Sequence, residues 1–226
     1  ILLTLEALDE GRVSVQDQVT VSPHAASMGG SQAFLDAGER YPLGELLKTV
    51  IVASANDSAV ALAEHLAGAE EAFVKLMNAR ADELGLQNTH YVNCTGLPAP
   101  DHYTTARDVA KLSAQLDLHP LYYRYSTIWM DEIRHRGGRV TALTNTNRLV
   151  RFYSGCDGYK TGSTNEARYC ISATAKKDGM RLIAVVLGTP AGQTRFDEAR
   201  ALLEYGFANV KLTTPIAQGQ PLDMTV

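Results

Sequence analysis

The 226-residue sequence predicts an α+β fold, a helical block followed by an antiparallel sheet that ends in a helix. Three observations predict it. Between Leu43 and Leu116, apolar residues recur at helical spacing in four successive segments. After Asn145 the pattern changes, and Tyr169, Ile171, Ala173 and Ala175 alternate with Cys170, Ser172 and Thr174, the period of a strand covered on one face. The Lys177-Asp178-Gly179 turn then leads into the apolar run from Leu182 to Leu187, a hairpin closed by a helical stretch from Gln193 to Phe207.

Ile1, Leu5 and Leu8 share one face of a first helix stopped by Gly11. This segment opens at full hydrophobicity without a cap or a basic run, so it is not a signal peptide. It reads as the last turns of a longer helix, and the chain is expected to be cut from a longer protein. Val19-Thr20-Val21 is β-prone, and residues 27–31 read as a loop. Leu43, Leu46, Leu47, Val50 and Ile51 mark one helix face. Ala53-Ser54-Ala55-Asn56-Asp57 interrupts it, and Asn56 or Asp57 is placed to cap the next helix, with Ala59, Leu62, Ala63 and Leu66 on one side and Gly68 at its end. A third helix spans about Glu70 to Leu84, with Phe73, Leu76, Met77, Ala81 and Leu84 inward. Asn93 to His102 is loop. Ala106, Val109, Ala110, Ser113 and Leu116 mark a fourth helix. Gly155 to Gly162 reads as a short strand between glycines. Phe196, Ala199, Leu203 and Phe207 face inward from the last helix. From Leu212 the sequence turns β-like, so residues 1–208 are expected to form one domain and 209–226 to begin a second, β-rich one.

Composition excludes several classes. Twenty-one Lys and Arg against 25 Asp and Glu give a net charge of −4, which argues against a nucleic-acid binder. No apolar run approaches a membrane span. Cys94, Cys156 and Cys170 lack metal-site spacing and fit free thiols, with Cys170 expected as a small core residue. The six histidines are scattered, so no metal is expected. There is no phosphate-binding glycine loop and no HExxH.

Two short motifs carry chemistry. Ser54-Ala55-Asn56 lies between two helices, and Lys160-Thr161-Gly162 ends a strand. Alone, each has an ordinary reading, as a helix cap and as a turn. Together they match the S-x-N and K-T-G elements of the penicillin-binding proteins and class A β-lactamases. Further stretches extend the match: Gly30-Ser31 with Phe34-Leu35, Ser54 to Gly68, Met77-Asn78, Thr104 to Asp108, Asn145 to Leu149, Asp157 to Gly162, Gly188-Thr189-Pro190, and Arg195-Phe196. On these residues the chain closely resembles the D-alanyl-D-alanine carboxypeptidases, low-molecular-mass penicillin-binding proteins, over nearly all of residues 1–208.

The resemblance implies a β-lactamase/transpeptidase-like fold and a serine carboxypeptidase. Such an enzyme removes the terminal D-alanine from peptidoglycan stem peptides through an acyl-enzyme, is inhibited by penicillin and needs no cofactor. Ser54 would relay a proton to the leaving amine, and Asn56 would bond the substrate's amide carbonyl. Lys160 would supply the second positive charge that lowers the pKa of the catalytic lysine, and would help bind the terminal carboxylate. Thr161 and Gly162 would line an open strand edge for the peptide, with Ser163 giving an oxyanion-hole N–H. Arg195 would sit near the carboxylate; its other reading is a plain first-turn helix arginine. The nucleophilic serine and its lysine, Ser-x-x-Lys, are expected just before Ile1, because no serine in this chain has a lysine three residues on. By itself the chain is expected to be inactive.

Two alternatives stay open. A class A-like β-lactamase would share the fold, but Ala55 stands where that class usually has Asp, and no segment resembles its Glu-containing loop. A non-catalytic wall-binding pseudoenzyme would also suit the missing Ser-x-x-Lys. The resemblance further implies an extracytoplasmic, cell-envelope location and partners limited to stem peptides and β-lactam antibiotics. Contact with membrane would come only through a C-terminal anchor that this sequence does not contain.

Overall fold

A computed structural model describes residues 1–213. In chain order the elements are α1 (Leu2–Asp9), β1 (Gln18–Thr20), α2 (Pro23–Ala26), β2 (Arg40–Pro42), α3 (Leu43–Ala53), α4 (Asn56–Ala67), α5 (Glu70–Glu83), α6 (Ala106–Leu116), α7 (Pro120–Ser126), β3 (Met130–Arg134), β4 (Val140–Thr144), α8 (Leu149–Phe152), β5 (Cys156–Gly158), β6 (Thr161–Thr164), β7 (Arg168–Lys177), β8 (Met180–Thr189) and α9 (Gly192–Asn209).

Two apolar cores hold these elements. In the larger, α3 is central: Leu43, Leu46, Leu47 and Ile51 are buried together with Leu5 of α1 and Val60 of α4. In the smaller, Ile171, Ala173 and Ala175 of β7 pack on Phe196, Ala199 and Leu203 of α9. The sheet and its last helix therefore form where the alternation and the helical spacing predict them.

The sheet departs from expectation in two ways. β7 is covered on both faces, not one, because Ser172 and Thr174 are buried too. Their hydroxyls are satisfied: Ser172 Oγ meets Ser113 Oγ of α6 at 2.7 Å, and Thr174 Oγ1 donates to the Leu182 carbonyl at 2.9 Å. The expected strand from Gly155 to Gly162 is also broken in two. β5 and β6 pair antiparallel with the same edge of β7, and β8 takes the other edge. Between them Tyr159 N and Lys160 N both donate to the Ser172 carbonyl, at 3.1 and 2.9 Å, and Ser172 N returns to the Lys160 carbonyl at 2.8 Å. Two residues thus face one, a β-bulge, which bends a strand and re-aims its side chains. Among the described residues no strand pairs with the outer edge of β6.

Other differences are local. In α1 the buried residues are Leu2, Thr4, Leu5 and Ala7, whereas Ile1 and Leu8 are only partly covered. In α5 Leu76 is exposed and Val74 is buried with Phe73 and Ala81. The β3–β4 hairpin is not visible in the sequence because each strand buries one residue of five, Ile133 or Leu143, which leaves no alternation to read. Of the β-like tail expected from Leu212, all beyond residue 213 lies outside the described residues.

Neither Asn56 nor Asp57 caps α4. The N-cap is Ala55, with no side-chain cap. Asp57, 1% exposed, bridges the first turn of α4 to the preceding loop: Oδ1 accepts from Ser58 N (2.8 Å) and Ala33 N (3.0 Å), and Oδ2 from Leu35 N (3.1 Å). This carboxylate pins the loop that precedes β2 to the start of α4. Asp57→Ala leaves three buried donors unpaired and is expected to cost about 3 kcal/mol. Urea unfolding measures the loss, and hydrogen exchange should rise in residues 29–35; unchanged values in both would refute the pinning role.

Candidate active site

Segments far apart in sequence meet at one cavity of about 790 Å3. They are the Gly30–Ser31 loop, the α3–α4 junction, the turn at Thr146, the bulge and β6, and the first turn of α9. All seven residues singled out from the sequence line it: Ser54, Asn56, Lys160, Thr161, Gly162, Ser163 and Arg195.

Ser54 is the C-cap of α3, at φ 61° and ψ 37°. A non-glycine residue in the left-handed region costs on the order of 1 kcal/mol, and the buried Ile51 and Val52 hold the helix end that imposes it. Its Oγ accepts from Lys160 Nζ at 2.6 Å. Lys160 Nζ also donates to the Thr161 carbonyl at 2.9 Å. Burial first, then the charge of Arg195, lowers the Lys160 pKa to about 8. The bulge aims this side chain across the cavity to the α3–α4 junction.

Thr161 Oγ1 donates to Thr146 Oγ1 at 2.7 Å, and Thr146 N donates to the Val52 carbonyl at 3.0 Å. Thr146 therefore couples β6 to the end of α3. Asn145 and Asn147 build the turn that carries it: Asn145 Nδ2 donates to the Ser126 and Ile128 carbonyls, and its Oδ1 accepts from Asn147 N at 2.9 Å. Thr146 lies within the stretch Asn145 to Leu149 that carries part of the family resemblance, and the flanking asparagines shape its turn through their hydrogen bonds.

Asn56 Nδ2 donates to the Gly29 carbonyl at 2.8 Å, which uses one of its two amide hydrogens. Gly30, at φ +78°, is required here, since a Cβ would lie 2.8 Å from Asn56 Nδ2. At Gly162 a Cβ would meet nothing within 4 Å, so this side of the strand is open. Ser163 is exposed next to it. Arg195 Nη1 donates to the Gly162 carbonyl at 3.1 Å and the Cys170 carbonyl at 3.4 Å, and its guanidinium lies over the Phe196 ring at 4.8 Å. Arg195 is thus a first-turn helix arginine that also reaches the β6 edge.

Sequence reasoning missed other lining residues. Tyr159, Ser113 and His102 line the cavity, as do Cys94 and Cys170. Cys170 is a correction: it is half-buried at the cavity and not a core residue, because its cross-strand partner Gly162 has no side chain to cover it. All three cysteines are free. Among the described residues no group of three His, Cys, Asp or Glu is placed to hold a metal, and no helix is long and apolar enough to cross a membrane.

A lysine ammonium, a guanidinium, a serine hydroxyl and a side-chain amide around an open strand edge suit a peptide that ends in a carboxylate. Known proteins are similar to this chain in sequence and fold. A D-alanyl-D-alanine carboxypeptidase family model matches residues 1–191. The D-alanyl-D-alanine carboxypeptidase DacF of Bacillus subtilis is 45% identical over 207 residues, covering 92% of this chain and 53% of the relative. The crystal structure of the D-alanyl-D-alanine carboxypeptidase DacD from Francisella tularensis superposes with a TM-score of 0.85 at 30% identity, covering 92% of this chain and 62% of that one. Penicillin binding protein 5 from Haemophilus influenzae gives 0.84 at 34%, covering 91% and 60%. The chain spans about half the length of the curated relatives it matches. With its α+β fold, its paired motifs and a family match over most of its length, the chain belongs to the D-alanyl-D-alanine carboxypeptidase family.

Proposed function

We propose that the whole protein is a serine-type carboxypeptidase that removes the terminal D-alanine of peptidoglycan stem peptides in the cell envelope and is acylated by β-lactams. The observation that carries this reading is the 2.6 Å bond from Lys160 Nζ to Ser54 Oγ, which joins the two motifs. The nucleophile comes from a serine N-terminal to Ile1, activated by its own lysine. The ammonium of Lys160 then helps keep that second lysine neutral by charge repulsion. Ser54 passes a proton toward the leaving amine. The free hydrogen of Asn56 Nδ2 bonds the substrate's amide carbonyl, and the peptide lies along β6 with its carboxylate toward Lys160, Thr161 and Arg195. Ser163 N–H supplies one oxyanion donor.

Intact mass of the full-length protein after benzylpenicillin treatment tests this reading. One stable adduct on a serine N-terminal to Ile1 is expected. No adduct with penicillin intact would favour a non-catalytic protein, and no adduct with penicillin destroyed would favour a β-lactamase.

The pH dependence has a definite sign. Lys160 titrates near 8, so it carries charge below that pH and loses it above. The kcat/KM for a D-alanyl-D-alanine peptide should therefore fall about tenfold per pH unit on an alkaline limb starting near 8. A profile flat to pH 10 would remove Lys160 from carboxylate binding.

Ser54→Gly separates strain from function. Glycine accepts the left-handed backbone, so stability should stay within about 1 kcal/mol of the parent in thermal unfolding. The kcat/KM should fall about a hundredfold. Retained activity would exclude a proton-transfer role for Ser54.

A further inference from the structure

We propose that Tyr123 and Arg181, neither of which lines the cavity, are positioning residues for Lys160 that act through the Tyr159–Lys160 bulge; the proposal rests on the function proposed above. Tyr123 OH donates to Asp117 Oδ1 at 2.7 Å. Its remaining lone pairs accept the hydroxyl proton of Tyr159, 3.1 Å away. Arg181 Nε meets the same Asp117 oxygen at 2.8 Å. The fork of Arg181 grips Asp157 in two bonds, Nη1 to Oδ1 at 2.7 Å and Nη2 to Oδ2 at 2.9 Å. Its guanidinium also lies 4.5 Å over the Tyr123 ring.

These contacts clamp the bulge from behind. Asp157, at one end of the 157–159 segment, is held by Arg181, and Tyr159, at the other end, by Tyr123. The next residue is Lys160, whose backbone is pinned to Ser172 through both N and O. Ser172 is in turn tied to Ser113. A lysine has four flexible carbons, so a fixed Nζ position needs a fixed root. Charges drawn partly out of water add little stability that apolar packing could not supply. What they add here is geometry: a bidentate arginine fixes both distance and orientation.

The test uses the full-length protein with Tyr123→Phe, which keeps the ring under Arg181, and Arg181→Lys, which keeps the charge but not the fork. The Nζ signal of Lys160 is titrated by 15N NMR, and kcat, KM and melting temperature are measured in parallel. For both variants the Lys160 midpoint is expected to move up from about 8 as the amine slips toward water. KM for a D-alanyl-D-alanine peptide should rise about tenfold while Tyr123→Phe melts with the parent. A parent-like midpoint and KM in both variants would overturn the proposal, as would an activity loss that only follows the unfolded fraction. A parent protein that neither hydrolyses the peptide nor forms a penicillin adduct would sink the functional reading instead, and the NMR titration would still decide the positioning role.

Discussion

The molecule is organised around one contact between residues 106 positions apart, the ammonium of Lys160 on the hydroxyl of Ser54. Each partner sits at the end of a different element. Ser54 ends the central helix of the larger core, and Lys160 is rooted on β7 through its two backbone bonds to Ser172. The cavity lies at the seam, and further polar links cross it: Thr161 to Thr146, Thr146 N to the Val52 carbonyl, and Ser113 to Ser172. Hydrogen bonds suit a seam because they set direction, whereas apolar packing sets only proximity.

Two irregularities sit at this contact, and each has a cause in packing. Ser54 takes a left-handed backbone because α3 is buried up to its last turn and the chain must reverse into α4 within two residues. Lys160 follows a bulge because both its N–H and that of Tyr159 take the same carbonyl. Strain and bulges are stable only where the surroundings over-determine them. Here Asp57 fixes the loop beside Asn56 from one side, and the Arg181–Asp157 pair fixes the sheet edge from the other.

The sequence was informative wherever one periodicity dominated. The helical spacing of Leu43 to Ile51 and the apolar run Leu182 to Leu187 give α3 and β8 directly. The site residues were legible as types at fixed spacing, Ser-x-Asn and Lys-Thr-Gly, and each lines the cavity. What was not legible depends on partners distant in sequence. The break at Tyr159 is set by a carbonyl on β7, and the second buried face of β7 is set by Ser113 of α6. Asp57 looked like a cap because aspartate favours that position; the backbone of residues 33–35 competes for its oxygens and wins. Thr146 lay within the matched stretch Asn145 to Leu149 but was not singled out, because its bond to Thr161 exists only once β6 packs against it.

The electrostatics of the cavity wall bear on the choice between the two readings of Arg195. Two part-buried arginines elsewhere in this fold pair with carboxylates, Arg181 with Asp157 and Arg80 with Glu6. Among the described residues neither Arg195 nor Lys160 has one, and each donates instead to neutral oxygens. Arg195 also stands in the first turn of α9, where the helix dipole disfavours a cation. Two cations on one wall are therefore held without a carboxylate partner, and the charge of Arg195 acts against that of Lys160. Burial first, and the charge of Arg195 second, draw the Lys160 pKa down to about 8. Under the proposed function, an arriving carboxylate would relieve this repulsion, and cations already in place would bind it without first reorienting. The bonds of Arg195 to the Gly162 and Cys170 carbonyls account for its position; its repulsion of Lys160 is what supports the proposed carboxylate role beside that structural one.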